Sequence, residues 1–161
     1  MSLDYRMLIA GISLPQARSA LLELHGFREY SAEPNPRRQF QTTHIIHGPG
    51  IIMWLDDAKL DQQAQTWHPF VLNPDVEWLL EADKFADPVR VGQTIVMIVR
   101  KLLQNASGDA LFFFTQSHRP LLHRRDGIVL IDDDPKNFWL WNPSTLEMLG
   151  LDHSLTSLSK W

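Results

Sequence analysis

The sequence predicts an α+β fold: a two-layer sandwich in which helices cover one face of a mostly antiparallel sheet. Three observations predict it. Two apolar patterns of helical spacing each begin with capping residues, and short apolar runs bounded by turn residues flank both of them. In addition, residues 5 to 55 and 76 to 125 share the order strand, helix, strand, strand. This reads as two βαββ-like units, although no residue-level repeat accompanies the shared order.

Tyr5 to Ala10 is the first strand. Ser13 then caps a helix whose Pro15 lies in the first turn and whose Gln16 can return a capping-box bond. Leu14, Ala17, Leu21 and Leu24 share one face of it, and His25 with Gly26 ends it. Residues 31 to 38, SAEPNPRR, read as a solvated loop. Gln39 to Ile46 and Ile51 to Leu55 flank Gly48-Pro49-Gly50 and form a hairpin. Asp56 to Pro69 is polar and reads as an exposed loop or a short helix joining the two halves.

Val76 to Ala82 resumes strand character. Asp87 and Pro88 open a helix in which Val91, Ile95, Ile98, Val99 and Leu102 recur at helical spacing, with Val96, Met97 and Leu103 widening the stripe. This helix is expected at the centre of the core. The segment DALFFFTQSHRPLLHRRDGIVLID, Asp109 to Asp132, then carries three apolar runs with polar breaks, and Phe112, Phe113 and Phe114 should pack on both sides of a central strand. Asn142, Pro143 and Gly150 bracket a short helix over Ser144 to Leu149. The second sheet face is expected to be partly wet or covered by the tail.

A chain of 161 residues fits one domain, here 1–161, with enough length to bury a sizeable core. Hydrophobic residues at 44% against 21% charged make disorder a poor description. With no cysteine there is neither a disulfide nor a thiolate metal site, which suits a reducing cytoplasm. Asp4 and Arg6 interrupt the N-terminal apolar run, so no secretory signal is read, and no apolar stretch reaches the length of a membrane span. A formal charge of -4 argues against nucleic acid as the partner.

Motifs of catalysis and cofactor binding are missing: there is no Gly-x-Ser-x-Gly elbow and no glycine-rich phosphate loop. His44 and His47 are odd-spaced in a strand and so face opposite ways; His118 and His123 belong on facing strands of a hairpin. Neither pair predicts a shared metal. Glu77 and Glu81 project to one strand face, as a carboxylate pair or simply as a wet face. Asp132, Asp133 and Asp134 read as a solvated turn or, with Asp56, Asp57 and Asp61, as an acidic surface for a basic partner. Phe138, Trp139 and Trp141 are core or interface anchors, with Trp139 and Trp141 sharing a face if the segment is a strand.

One resemblance emerges from these residues. From Val76 to Trp141 the order Asp83-Lys84-Phe85, Asp87-Pro88, the long helix, Gly108-Asp109-Ala110 into Leu111 to Phe114, and Leu121-Leu122 before Arg124-Arg125-Asp126-Gly127 resembles the Sit immunity family of bacterial swarming-inhibition toxin systems. Thr115 to Pro120 stands where a tight hairpin turn is expected in that family. The resemblance implies a cytoplasmic, non-enzymatic protein without cofactor or metal, which binds a cognate toxin encoded nearby and neutralises it by stoichiometric inhibition. The six aspartates above are then the expected partner contacts. A regulatory interaction domain unrelated to toxins, or a small hydrolase using His and carboxylates, are the alternatives the composition permits.

Overall fold

The computed structural model describes residues 3–34, 42–59, 70–71 and 73–158. The elements run β1 (Leu3–Ile9), α1 (Leu14–Leu22), β2 (Arg28–Pro34), β3 (Thr42–Gly48), β4 (Ile51–Asp57), β5 (Val76–Ala82), α2 (Pro88–Asn105), β6 (Ala110–Phe114), β7 (Arg119–Arg125), β8 (Ile128–Asp132), a 3-10 turn (Pro135–Asn137), α3 (Pro143–Leu149) and β9 (His153–Thr156). Among the described residues these strands form one sheet in the order β2-β3-β4-β5-β1-β6-β7-β8-β9. Every pairing is antiparallel except the last, β8 with β9. The α+β two-layer architecture expected from sequence is present.

Local chemistry starts the helices where the sequence places them. The Ser13 hydroxyl accepts from the Gln16 N–H at 3.3 Å and the Gln16 side chain accepts from the Ser13 N–H at 2.9 Å, closing the capping box. Asp87 accepts from the Val89 N–H at 3.0 Å, with Pro88 in the first turn of α2. Asn142 and Thr145 make a second reciprocal cap, for α3, which ends at Gly150 in the left-handed region, φ 59°. All three helices pack on one sheet face: Ile95, Ile98, Val99 and Leu102 of α2 and Leu21 of α1 meet Met7, Met53, Trp78, Leu80 and Phe112, each fully buried.

The opposite face carries a smaller apolar cluster. Leu8, Ala10, Leu111 and Phe113 are covered by Ala58, Phe70 and Val71, which belong to the connection between β4 and β5. Among the described residues that connection screens this part of the sheet, and His153–Thr156 add β9 at the sheet edge. Phe112 faces the helices and Phe113 faces away, so the aromatic strand is buried on both sides as its alternation requires.

Two strands escape the sequence reading. Residues 31 to 34, expected in a loop, belong to β2, while 35 to 38 lie outside the described residues. As an edge strand with a bulge between Glu29 and Ser31, β2 (REYSAEP) lacks the apolar alternation that reveals inner strands. The tetrapeptide β9 (HSLT) is an edge strand too. The first half therefore has one strand more than a βαββ unit and the second, with β8 and β9, two more; β4, the last strand of the first half, lies beside β5, the first of the second, and β6, the first strand after α2, lies beside β1. No helix among the described residues is long and apolar enough to cross a membrane.

Candidate functional site

The register fixes which residues meet at each end of the sheet. Leu3 pairs with Ala82, Ile51 with Ala82, Tyr5 with Phe114 and Phe114 with Arg119. One end thus gathers the start of β1, the β3–β4 turn, the entry to α2 and the β6–β7 turn. A pocket of about 400 Å³ opens there, lined by Tyr5, Phe114 and Leu121 from the sheet and by Trp139 beyond the 3-10 turn. Ser117, Arg119, Lys136 and Asn137 complete its lining and supply the polar groups.

Three rings shape its wall. The Tyr5 centroid lies 5.4 Å from Phe114 and 6.0 Å from Trp139, with the planes tilted by 48° and 50°. Tilted rings at this distance attract edge to face and leave a concavity instead of closing into a stack. Trp139 is fixed from behind because its carbonyl rests on α2 at Gly92, where an added Cβ would sit 2.9 Å from that oxygen. Burial pushes the Tyr5 phenol above its ordinary range, so it stays a protonated donor.

Arg119 ties the pocket's polar side together. It forms an ion pair with Asp132 through Nε at 3.0 Å and with Asp134 through Nη1. Asp132 also accepts from Asn137 Nδ2 at 2.8 Å and from the Leu158 N–H at 3.1 Å, and is only 1% exposed. Asp134 caps the 3-10 turn; the N–H of Lys136, and then the Arg119 guanidinium, hold its carboxyl below the usual carboxylate range. One arginine and two aspartates so join β7, β8, the turn and the tail.

The same end exposes large apolar side chains. Phe85 in the β5–α2 connection is 86% exposed, Val89 in the first turn of α2 63%, and Phe138 beside Trp139 62%. Lys84 Nζ lies 5.0 Å from the Phe85 ring centroid. Val89 is one turn before Gly92, against which Trp139 packs, so Val89 and Phe138 flank the same contact between α2 and the post-turn segment.

The six aspartates singled out in the sequence do not form one surface. Asp56 and Asp57 end β4 at the opposite end of the strands from Asp132, and the two segments are five strand spacings apart, roughly 24 Å. Asp56 accepts from the Thr43 hydroxyl at 2.6 Å and Asp57 from the Lys59 N–H at 2.9 Å. Asp61 lies outside the described residues. Asp132 is buried and occupied internally, which corrects its expected place on a surface, and Asp133 is the exposed member of its run.

His44 and His47 do face opposite ways. His44 Nδ1 approaches Glu29 at 3.1 Å, but that carboxylate already receives Arg18 at 2.5 Å and 3.2 Å, while His47 stacks on Tyr30. His118 occupies the β6–β7 turn instead of a strand, and His123 is buried with Nε2 2.7 Å from the Phe70 carbonyl. Among the described residues no three His, Asp or Glu converge as a metal site. Glu77 and Glu81 share the face away from the helices, with Glu77 paired to Arg6 at 2.7 Å. Trp139, Leu140 and Trp141 bend through the turn instead of forming a strand, burying Leu140 and Trp141 in the core and leaving Trp139 to the pocket. Sequence flagged Trp139 by its aromatic cluster but gave no sign of Tyr5, which reaches the pocket only through the pairing of β1 with β6.

No curated protein and no solved structure matches the chain. The family model described as SitI3-like matches residues 3–144, so it takes in both halves of the sheet and all three pocket rings. The chain belongs to the SitI3-like family, the Sit immunity proteins that its second half resembles.

Proposed function

We propose that this protein is an immunity protein that binds a cognate toxin and neutralises it by stoichiometric inhibition. The observation that carries the reading is the family match over residues 3–144, which leaves little of the chain unaccounted for. Such inhibition needs a rigid scaffold and a few exposed anchors around which water is excluded. Phe85, Val89 and Phe138 supply anchors at one end of the helical layer. Asp133, exposed at that end of β8, is the acidic residue placed to meet a basic toxin surface there, and Asp57 would serve a contact at the opposite end.

Co-expression with the toxin encoded by the adjacent gene tests this. The protein should restore growth and co-purify with the toxin in a 1:1 complex, and Phe85→Asp combined with Phe138→Asp should weaken that complex by about 30-fold or more, since a hot-spot anchor is worth about 2 kcal/mol or more. Growth arrest unrelieved by the wild-type protein would refute the reading.

A further inference from the structure

The pocket beneath Trp139 has features that toxin binding does not require. Tyr5 is 4% exposed and lines the pocket, yet its hydroxyl makes no hydrogen bond to any described residue. The ring is buried but the oxygen is reached by solvent through the pocket, so its O–H is a donor that an acceptor entering the pocket can take over from water. At about 400 Å³ the space is within the range of small-molecule sites, and its apolar body of Tyr5, Phe114, Leu121 and Trp139 with a few polar groups has their usual composition. The tilted rings offer flat faces to a flat guest.

Charge narrows the guest further. Arg119 is already held by Asp132 and Asp134, whereas the exposed Lys136 ammonium forms no ion pair among the described residues. Besides the Ser117 hydroxyl at the mouth, which accepts from the Arg119 N–H, the Tyr5 hydroxyl and the Lys136 ammonium are the pocket donors that no described residue takes up as a hydrogen bond or ion pair. We infer that it binds a small aromatic carboxylate, whose ring packs among Tyr5, Phe114 and Trp139 and whose anionic group accepts from Tyr5 and Lys136. Arg119, Asp132 and Asp134 together carry one negative charge that Lys136 balances, so the rim is close to neutral. Affinity is accordingly modest, at about 0.1 to 1 mM for a ligand of this size.

Ligand-observed NMR titration of the full chain with indole-3-acetate, neutral indole-3-acetamide and the dipeptide glycyl-tryptophan tests the inference. The acid should bind saturably and the amide more weakly by about tenfold or more, the worth of one charge-assisted contact. Tyr5→Phe should weaken the acid by about fivefold at an unchanged melting temperature, and Lys136→Met should erase the preference for acid over amide. Ser117→Trp, on the exposed turn at the mouth, should abolish binding of all three. Glycyl-tryptophan binding as tightly as the acid assigns the site to a chain terminus; a preference for the acid assigns it to a free small molecule. The inference is overturned if the acid shows no saturable binding up to about 10 mM, or if Tyr5→Phe and Ser117→Trp both leave its binding unchanged.

Discussion

The C-terminus of α2 should depend on a single side chain from another element. Its last turn contains no basic residue, and its C-cap, Ala106, is in an extended conformation. Arg124 of β7, 9% exposed, reaches across and donates through Nη1 to the Leu103 carbonyl at 2.7 Å, through Nη2 to Ala106 at 2.9 Å and through Nε to Gly108 at 2.9 Å. The Leu103 and Ala106 oxygens are ones that a helix end leaves without intrahelical partners, the Gly108 oxygen belongs to the connection that follows, and the cation also lies at the negative pole of the helix. Burial pulls the Arg124 pKa below its ordinary value, with Asp109 opposing, so the guanidinium carries a desolvation cost that its bonds must offset. Three bonds from a charged donor are worth about 1.5 to 3 kcal/mol each before that cost. Arg124→Met keeps the aliphatic stem and strands the carbonyls; the net loss should be about 3 to 5 kcal/mol. For a chain of this length each kcal/mol lowers Tm by about 2 to 4 °C, so thermal unfolding followed by circular dichroism should move down by about 6 to 20 °C. Hydrogen exchange should accelerate first at Lys101 to Asn105. Arg124→Lys should recover about half the loss, because one ammonium keeps the charge but cannot span three carbonyls. A variant Arg124→Met melting within about 2 °C of wild type would refute the assignment of Arg124 as the cap of α2.

Ile98→Ala, at a fully buried position between α2 and the sheet, should cost about 2 to 5 kcal/mol in urea unfolding with an unchanged m-value. Gly92→Ala places a methyl 2.9 Å from the Trp139 carbonyl; it should displace Trp139, shift its indole resonance and lower Tm by about 2 to 8 °C, an overpacking cost of roughly 1 to 2 kcal/mol. The Asp134 and Glu29 carboxyls are held low, the first by the Lys136 N–H and then Arg119, the second by Arg18. Their unfolded forms bind protons more readily, so their stabilisation is complete above the ordinary carboxylate range and disappears as pH falls through the folded values, below about pH 4. Urea midpoints measured from pH 7 to 3 should fall across that acid window, and Asp134→Asn should flatten part of the fall.

Most inner elements were legible because their signals are local. Capping residues at Ser13, Asp87 and Asn142 located the helix starts within a residue, though the first helix ends at Leu22, short of the expected His25 and Gly26, and the strands buried on the helix side announced themselves by apolar content. The edge strands β2 and β9 were illegible for the converse reason: they bury little and their ladder bonds depend on a neighbour distant in sequence. Strand order was equally hidden, since nothing in a shared strand and helix order says that β4 and β6, different members of the two halves, flank the central pair. The pocket depends on that order, because only the pairing of β1 with β6 brings Tyr5 to Phe114 across more than a hundred residues.

The acidic run shows how one composition supports two physical roles that only topology separates. A stretch of three aspartates before a proline satisfies every rule for a solvated turn, and Asp133 obeys it. Its neighbours do not, because the register sets Arg119 at the start of β7 beside the end of β8, where a lone guanidinium at a partly buried strand end needs carboxylates. With both supplied, the turn is clamped, Asn137 and the tail are recruited through Asp132, and Trp139 is delivered to the pocket rim. Charge reversal at Asp132 would therefore unfold this corner before it reported on any partner, whereas the same reversal at Asp133 changes surface charge alone. A loss of toxin binding separates recognition from folding only when it is read at Asp133, Phe85 or Phe138, where the side chain supports nothing beneath it.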